Sequence, residues 1–252
     1  MYQFNSRIRY SEVDSSGSLS MESLLDYFQD CSTFHSEDLG VGVAYLSKRH
    51  LAWVMSAWQI VADRYPSLGE RVVIGTAPYE FKGFFGYRNF LMETEEGERL
   101  ACANTLWTLM DMENMRPAKP TAEMMEAYVL EEKLAMDYAP RKIALPGDGG
   151  VRMESIEIRP HHLDTNQHVN NGQYIRIAME SLPAKYLQEQ GCTIRQMRAE
   201  YKKQAHLGDK IYPVVYYGEE GIAAISLNNR EGEPYCVVEL KRQPGPGFCT
   251  LP

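Results

Sequence analysis

The chain has 252 residues, of which 44% are hydrophobic and 24% are charged, and its formal net charge is −8. This composition is typical of a globular protein with a hydrophobic core. The negative charge disfavours nucleic-acid binding, which needs a basic surface, and an acidic protein partner would need a local basic patch. No apolar run has the length of a membrane span, and the N-terminus lacks a signal-peptide stretch. We therefore expect no membrane span and a cytoplasmic location.

The first half of the chain predicts one long helix followed by antiparallel strands. The helix covers Met21 to Cys31, has Ser20 as its N-cap, and carries one apolar face. The strand-like segments and turns that follow it are, in order, 64–70, 72–76, 87–93 and the hairpin turn 95–98. Thr121 is expected to cap a short helix that runs to about Glu131.

The second half repeats this order of elements. A helix is predicted from Asn171 to Leu182, with Asn170 as its N-cap and Pro183 after its end. The strand-like segments and turns that follow are 203–209, 211–217, 223–227 and the hairpin turn 229–232. The two halves also align without gaps, since residues 8–20 placed over 158–170 match at an isoleucine, an arginine and an aspartate.

One helix per half is the only large element that can cover the apolar face of each sheet. The predicted fold class is therefore α+β, a double hotdog, in which two tandem antiparallel sheets each wrap around a long central helix. The expected domains are an N-terminal lobe at 1–120, a helix and Pro/Gly-rich linker at 121–150, a C-terminal lobe at 151–242 and a flexible tail at 243–252.

Polar groups concentrate just before the second helix, in the segment 162–171. A helix start offers free backbone N–H groups and the positive end of the helix dipole. With a carboxylate, an amide and an imidazole close by, it could polarise a thioester carbonyl and hold the resulting oxyanion. The alternative is a polar loop that only caps the helix, because Asn and Asp are common there for capping reasons.

A metal site is the second alternative for this segment. His161, His162, Asp164 and His168 are all ligand types, but adjacent histidines on an extended strand point to opposite faces, and no established metal spacing fits. The five cysteines are odd in number and none has CxxC spacing, so we expect buried free thiols. GxSxG, P-loop and GxGxxG sequences are absent, and we predict no cofactor and no metal.

Several blocks in order along the chain resemble the acyl-acyl-carrier-protein thioesterases of plants and bacteria. The blocks are Ala52–Ser56, Asp63–Pro66 with Gly69-Glu70, Leu106–Asp111, Asp164–Asn171 and Glu200–Lys203. The resemblance implies the double hotdog fold, an acyl tunnel mainly in the N-terminal lobe, and catalysis in the C-terminal lobe. It implies Asp164, Asn166 and His168 as active-site residues.

This sequence departs from the plant pattern at one informative place. Plant members typically carry Glu then Cys where this chain has Gln204 and Ala205. A thiol nucleophile is therefore excluded there, and attack by water becomes the leading hypothesis. Asp164 would act as the base, or as a nucleophile that forms an anhydride. Asn166 and Gln204 would bind the water or the carbonyl. His168 would give a hydrogen bond or proton to the leaving sulfur. The oxyanion would be bound by the backbone N–H groups of Asn170, Asn171 and Gly172.

The substrate and partner residues are less sharply defined. Candidates to line the acyl pocket are Leu24, Leu25, Phe28, Trp53, Met55 and Trp58, with ordinary core packing as the alternative. Candidates to dock the acidic carrier protein are Arg195, Arg198, Lys202 and Lys203, with solvated strand-face charges as the alternative. Chain-length preference and a homodimer are left open. The competing functions are a hotdog acyl-CoA thioesterase, a hotdog dehydratase and a catalytically inactive acyl-binding protein.

Overall fold

The computed structural model describes residues 1–164, 167–183, 186, 192–219 and 221–244. Residue contacts divide the chain into two compact units, Met1–Ala139 and the part that begins at Pro140. Within the described ranges, every helix is too short or too polar to cross a bilayer.

The first unit is an antiparallel sheet with one long helix packed on it. Its strands lie in the order β1-β3-β4-β5-β2, and a short β6 pairs with β5. The helix packs mainly on β3. The strands are β1 Tyr2–Arg7, β2 Leu51–Ala62, β3 Arg71–Lys82, β4 Phe85–Thr94, β5 Arg99–Asp111 and β6 Arg116–Pro117. The helices are α1 Met21–Asp38, α2 Val43–Ser47 and α3 Ala122–Ala127.

Helix α1 begins where the sequence predicts and ends later. The Ser20 side chain accepts from the Ser23 N–H at 3.1 Å, and the predicted apolar face is buried. The helix continues to Asp38 rather than ending at Cys31. The added residues are mostly polar, so no apolar periodicity marks them in the sequence, and hydroxyls such as that of Ser36 bond back to carbonyls of the preceding turn.

Helix α3 ends earlier than expected. Thr121 caps it as predicted, accepting from the Met124 N–H at 3.2 Å, but the helix stops at Ala127 instead of near Glu131. Tyr128 takes an extended conformation there, and its buried ring joins the cluster around Leu109. The free energy gained by burying this ring is larger than that gained by extending a short exposed helix.

The second unit has the same plan. Its strands lie in the order β9-β12-β11-β10-β7, with β8 paired to β10. The helix packs on β11 and β12 through Tyr174, Ile177 and Ala178, which are buried as predicted. The elements are β7 Val151–Arg152, β8 Ile156–Glu157, α4 Asn171–Glu180, β9 Cys192–Tyr201, β10 Lys210–Tyr217, β11 Ile222–Asn228 and β12 Pro234–Pro244.

Three sequence-based boundaries need correction. Segments 64–70 and 203–209 are mainly the turns that follow β2 and β9, not strands. Each turn contains a glycine with positive φ, Gly69 at 81° and Gly208 at 84°, which a strand does not tolerate. Strand β12 extends to Pro244, paired with Cys192, so the start of the predicted tail belongs to the sheet. Residues 245–252 lie outside the described residues.

The segment expected to be a linker is anchored where the second unit begins. The Arg198 guanidinium donates to the carbonyls of Pro140 and Lys142. The buried Ile143 donates its N–H to the Glu200 carboxylate at 3.2 Å. Residues 140–143 are therefore fixed to β9, although they form no regular secondary structure.

Candidate active site

The loop that carries Asp164 and His168 is closed by backbone bonds immediately before α4. Leu163 and Val169 form a bridge, and the Asp164 N–H donates to the His168 carbonyl at 2.8 Å. Gln167 lies between them with φ +62°, a left-handed conformation that disfavours a residue with a Cβ. Strain of this kind gathers at functional sites, and it marks this loop as a candidate. The predicted residue Asn166 lies outside the described residues.

The same loop occurs in the first unit, 150 positions earlier. The Asp14 N–H donates to the Ser18 carbonyl at 2.9 Å, and Gly17 has the positive φ that Gln167 has in the second unit. The Asp14 carboxylate accepts from the Ser16 backbone N–H at 2.8 Å. The loop therefore forms without an imidazole, and the first unit has the carboxylate without the other predicted catalytic groups.

The carboxylate and the imidazole of the proposed site belong to one local structure. Asp164 is half-buried, and its Oδ1 accepts from the His168 backbone N–H at 3.3 Å. Burial lowers the pKa of His168, the nearby His206 lowers it further, and Asp164 opposes both effects. His168 is thus disposed to be neutral near neutral pH, the form in which one ring nitrogen donates a hydrogen bond and the other can accept a proton.

Gln204 lies on the segment that packs against this loop. The Val169 N–H donates to the Ala205 carbonyl at 3.2 Å, which ties the two segments together. The buried Ala205 N–H donates to the Tyr174 hydroxyl at 2.8 Å. Gln204 is half-buried, and its amide makes no hydrogen bond to another described residue. Its side chain is therefore available for a ligand, so far as the described part of the chain shows.

The predicted oxyanion donors are not all open. The Asn170 N–H donates to the His162 carbonyl at 2.9 Å, so this donor is used within the fold. The Gly172 N–H donates to the Asn170 side-chain oxygen at 2.9 Å, the N-cap bond of α4. Asn171 also has interactions, including a carbonyl that accepts from the Tyr201 hydroxyl at 3.0 Å. A substrate oxygen at Gly172 has to share or displace the Asn170 cap.

His161 and His162 make contacts with each other and with Arg159. The His162 Nδ1 accepts from the Arg159 N–H at 3.0 Å, so a neutral ring carries its proton on Nε2. The rings of His161 and His162 lie 4.1 Å apart, and burial followed by the His161 charge lowers the pKa of His162. Among the described residues, no group of three His, Cys, Asp or Glu side chains has the arrangement of a metal site.

Two family models match the chain in order. Residues 1–128 match the acyl-ACP thioesterase N-terminal domain, and residues 149–239 match the acyl-ACP thioesterase C-terminal domain. The chain belongs to the acyl-ACP thioesterase family. The resemblance inferred from the sequence blocks is thereby confirmed.

Individual relatives of this family member support the same placement. It is 26% identical over 217 residues to the palmitoyl-acyl carrier protein thioesterase, chloroplastic, of Arabidopsis thaliana, covering 81% of this chain and 52% of that protein. The chain thus spans about half the length of the curated relatives it matches.

Two solved structures show the fold. One is an acyl-ACP thioesterase from Bacteroides thetaiotaomicron VPI-5482, with TM-score 0.86, 22% identity and coverage of 96% of this chain and 97% of that one. The other is the 12:0-ACP thioesterase from Umbellularia californica, with TM-score 0.85, 21% identity and coverage of 97% and 98%. The predicted double hotdog fold is confirmed.

The candidate pocket residues of this acyl-ACP thioesterase family member fall into two groups. Five of the six are at most 4% exposed, and Phe28 stacks on Trp58 with ring centroids 6.3 Å apart. Trp53 is only partly buried and packs instead on Phe81, at 6.0 Å, in the cluster around Leu109. Packing against the core accounts for all six, and their role in binding an acyl chain stays a prediction.

The candidate docking cations are largely neutralised by carboxylates. Arg198 pairs with Glu239 at 2.8 Å, and Lys202 pairs with the buried Glu200 at 3.1 Å. Lys203 pairs with Glu233. The fourth predicted cation, Arg195, also has an interaction. Three of the four side chains therefore have their positive charge compensated within the fold.

The sequence interpretation missed two side chains near this site. His206 packs its ring against His168 with centroids 5.0 Å apart, and Tyr174 supplies the hydroxyl that accepts from Ala205. His206 directly follows the Gln-Ala pair that replaces the plant Glu-Cys pair, so the sequence did place it beside the site. Tyr174 was predicted only as part of the apolar helix face, because helical periodicity gives no information about its hydroxyl.

Proposed function

We propose that this chain hydrolyses the thioester of fatty acyl chains on acyl carrier protein and releases free fatty acid. Family membership across 1–128 and 149–239 supports the reaction class. The observation that carries the proposal is the strained loop that holds Asp164 and His168 beside the segment of Gln204. The first unit has the same loop without the imidazole, which points to the second unit as the catalytic one.

In the proposed mechanism, water adds to the thioester carbonyl carbon while Asp164 takes one of its protons. The carbon–sulfur bond then breaks, and the leaving sulfur receives a hydrogen bond or proton from a His168 N–H. Where the proton is transferred, the proton that Asp164 took from water replaces it at the other ring nitrogen, so the imidazole ends the step neutral. In the alternative path, the Asp164 carboxylate attacks first and displaces the thiolate, which forms an anhydride that water then hydrolyses to fatty acid and free carboxylate. Asn166 and Gln204 position the water or the carbonyl in either path.

A cysteine nucleophile does not fit the described residues. Ala205 occupies the position at which plant members typically have cysteine. Cys31, Cys102 and Cys236 are buried and form no disulfide among the described residues. Burial raises the pKa of the Cys236 thiol well above its usual value, which disfavours the thiolate that would attack. The Cys192 side chain lies outside the described residues.

The oxyanion that forms on attack is placed at the start of α4, where backbone N–H groups and the helix dipole favour negative charge. Of the predicted donors Asn170, Asn171 and Gly172, the N–H groups of Asn171 and Gly172 are the ones proposed here, because the Asn170 N–H is bound to the His162 carbonyl. Because the Gly172 N–H binds the Asn170 side chain, the substrate oxygen shares that donor or displaces the cap during turnover.

Substitution of the two described catalytic groups tests the site. Asp164→Asn and His168→Ala are each expected to lower kcat by roughly a hundredfold or more, as loss of acid–base catalysis does. Asp14→Asn is the matched control, because Asp14 occupies the same loop position in the first unit. Near-normal turnover by either second-unit variant would remove that residue from the mechanism.

Side-by-side assays of acyl carrier protein and acyl-CoA, over a range of chain lengths, test the substrate. Release of free fatty acid from the carrier-linked substrate in preference to acyl-CoA supports the proposal. Preference for acyl-CoA would reassign the substrate, and stoichiometric binding without release would indicate an inactive acyl-binding protein.

The docking surface, the domain roles and the cellular setting are parts of this proposal. We place carrier docking near Arg195, Arg198, Lys202 and Lys203. Carboxylates of the carrier protein would there replace the glutamates that pair with these cations in the fold. Added salt is then expected to raise KM for the carrier-linked substrate more than for a small thioester. We also propose that the first lobe binds the acyl chain. The proposed location is the cytoplasm. A homodimer, if one forms, is detectable by sedimentation.

A further inference from the structure

The histidine pair in the second unit has a fixed geometry. The rings of His168 and His206 lie with centroids 5.0 Å apart and planes at 63°, an edge-to-face contact. The bond from the Val169 N–H to the Ala205 carbonyl holds the two segments together directly beside the pair. The backbone of His206 is itself anchored, because its N–H donates to the Asp209 carboxylate at 2.8 Å. Backbone hydrogen bonds therefore fix both segments that carry the two imidazoles.

The fold does not require this pair. In the first unit the corresponding positions are Ser18 and Ser67, which form a bridge. The Ser67 N–H donates to Glu70 at 2.8 Å, and Gly69 has the positive φ that Gly208 has in the second unit. Two serines are thus enough to build the same loop and the same turn. The histidines occur together in the unit that contains the proposed catalytic residues, which indicates a chemical role.

The charges around His168 indicate which protonation state of its ring the pair favours. The titratable groups that act on its ring, within the described residues, are His206 from the turn after β9 and Asp164 from its own loop. Burial and His206 lower the pKa of His168, whereas Asp164 raises it. A charged imidazole 5.0 Å away penalises protonation of a half-buried ring, and the exposed His206 is the member of the pair that water can solvate when it is charged.

We propose that His206 is a positioning residue for His168, which holds that imidazole in place and in its neutral form through turnover. This inference rests on the proposed function for its catalytic meaning. A neutral His168 can donate one N–H toward the leaving sulfur and accept a proton at its other nitrogen. Without His206, the Asp164 carboxylate would act on His168 unopposed by a second imidazole and would favour the protonated ring, which has no acceptor nitrogen.

An NMR titration of the imidazole resonances tests the pair independently of activity. In His206→Ser, which installs the residue of the first unit, the titration midpoint of His168 is expected to move to higher pH. The acidic limb of kcat/KM should move in the same direction by roughly half a pH unit or more, since two unit charges about 5 Å apart interact by that much even in water. His206→Gln is the second variant should serine disturb the turn.

His161→Ser is the matched control, because His161 contacts His162 rather than His168. The His168 midpoint should stay unchanged in this variant. An unchanged or lower midpoint in a folded His206→Ser or His206→Gln protein would overturn the inference. Failure of the unmodified enzyme to release fatty acid would instead refute the proposed function, and the midpoint shift would remain measurable in that case.

Discussion

The Tyr174 hydroxyl is predicted to stabilise the second unit and its catalytic segment. It accepts from the Ala205 N–H at 2.8 Å, and both residues are buried, at 3% and 0% exposure. Tyr174→Phe removes one oxygen and leaves that buried N–H without an acceptor. The free energy of unfolding should fall by about 1 to 3 kcal/mol, the desolvation cost of an unsatisfied buried donor. Urea unfolding monitored by circular dichroism measures this loss.

The first unit suggests the control. At the positions that correspond to Tyr174 and Ala205, it has Leu24 and Pro66. Proline has no N–H, so the first unit needs no acceptor and has an apolar residue on its helix. The carbonyl of Pro66 accepts from the Leu19 N–H at 2.8 Å, as the Ala205 carbonyl accepts from Val169, so the backbone geometry tolerates proline.

A double-mutant cycle follows from this comparison. In an Ala205→Pro background there is no N–H to satisfy, and Tyr174→Phe is expected to cost less than about 0.5 kcal/mol. In the natural background it should also lower kcat, because Gln204 and His206 flank the segment that the bond fixes. Equal costs of Tyr174→Phe in the two backgrounds, or no cost in either, would refute the reasoning.

Two further predictions concern pH and the oxyanion. Burial, followed by the charge of Arg88, lowers the pKa of His35 to about 4, so between that value and about 6.5 the unfolded chain binds a proton that the folded chain does not. Stability should therefore rise with pH across this window, by about 1 to 2 kcal/mol after allowance for solvent screening of the partly exposed ring, and His35→Gln should flatten the dependence of the urea midpoint on pH. Asn170→Asp keeps a good N-cap but puts a negative charge at the proposed oxyanion site, so kcat should fall while the midpoint stays the same or rises. Ser20→Asp makes the same change at the cap of α1 and should leave kcat unchanged, and a parallel loss in both variants would contradict the oxyanion assignment.

Local signals in the sequence were sufficient for much of the fold. Ser20 and Asn170 cap the helices they were predicted to cap, because a capping bond spans only two or three residues. The hairpin turn at 95–98 forms around Gly97 at φ +86°, a conformation that glycine adopts without strain. The early end of α3 was not predictable in this way, since Tyr128 joins residues far along the chain.

Contacts between distant segments account for what the sequence missed at the site. In the sequence Lys203 has no evident partner, whereas the fold places Glu233 beside it at the end of the β9–β12 pairing. His206 is separated from His168 along the chain, and only the folded turn brings their rings together. The sequence thus predicted residue types and the loop that bears them, whereas pairing of charges and rings depended on strand register, which periodicity does not determine.

The two units together separate what the fold requires from what the chemistry adds. Both have the loop before the helix, the capping bond, the positive-φ position and the bond from the loop to the turn after the strand. These shared features are backbone bonds, a side-chain cap and a positive φ, and the first unit forms them with serine, glycine, proline and leucine at the corresponding positions. The second unit differs where side chains converge on the loop, and each difference introduces a polar or titratable group. The differing pairs are Ser18 and His168, Ser67 and His206, Leu24 and Tyr174, and Pro66 and Ala205. Since the fold is satisfied by the first member of each pair, we propose that the two imidazoles serve catalysis and that Tyr174 supports their segment through the Ala205 N–H, so these three side chains are the groups to test first.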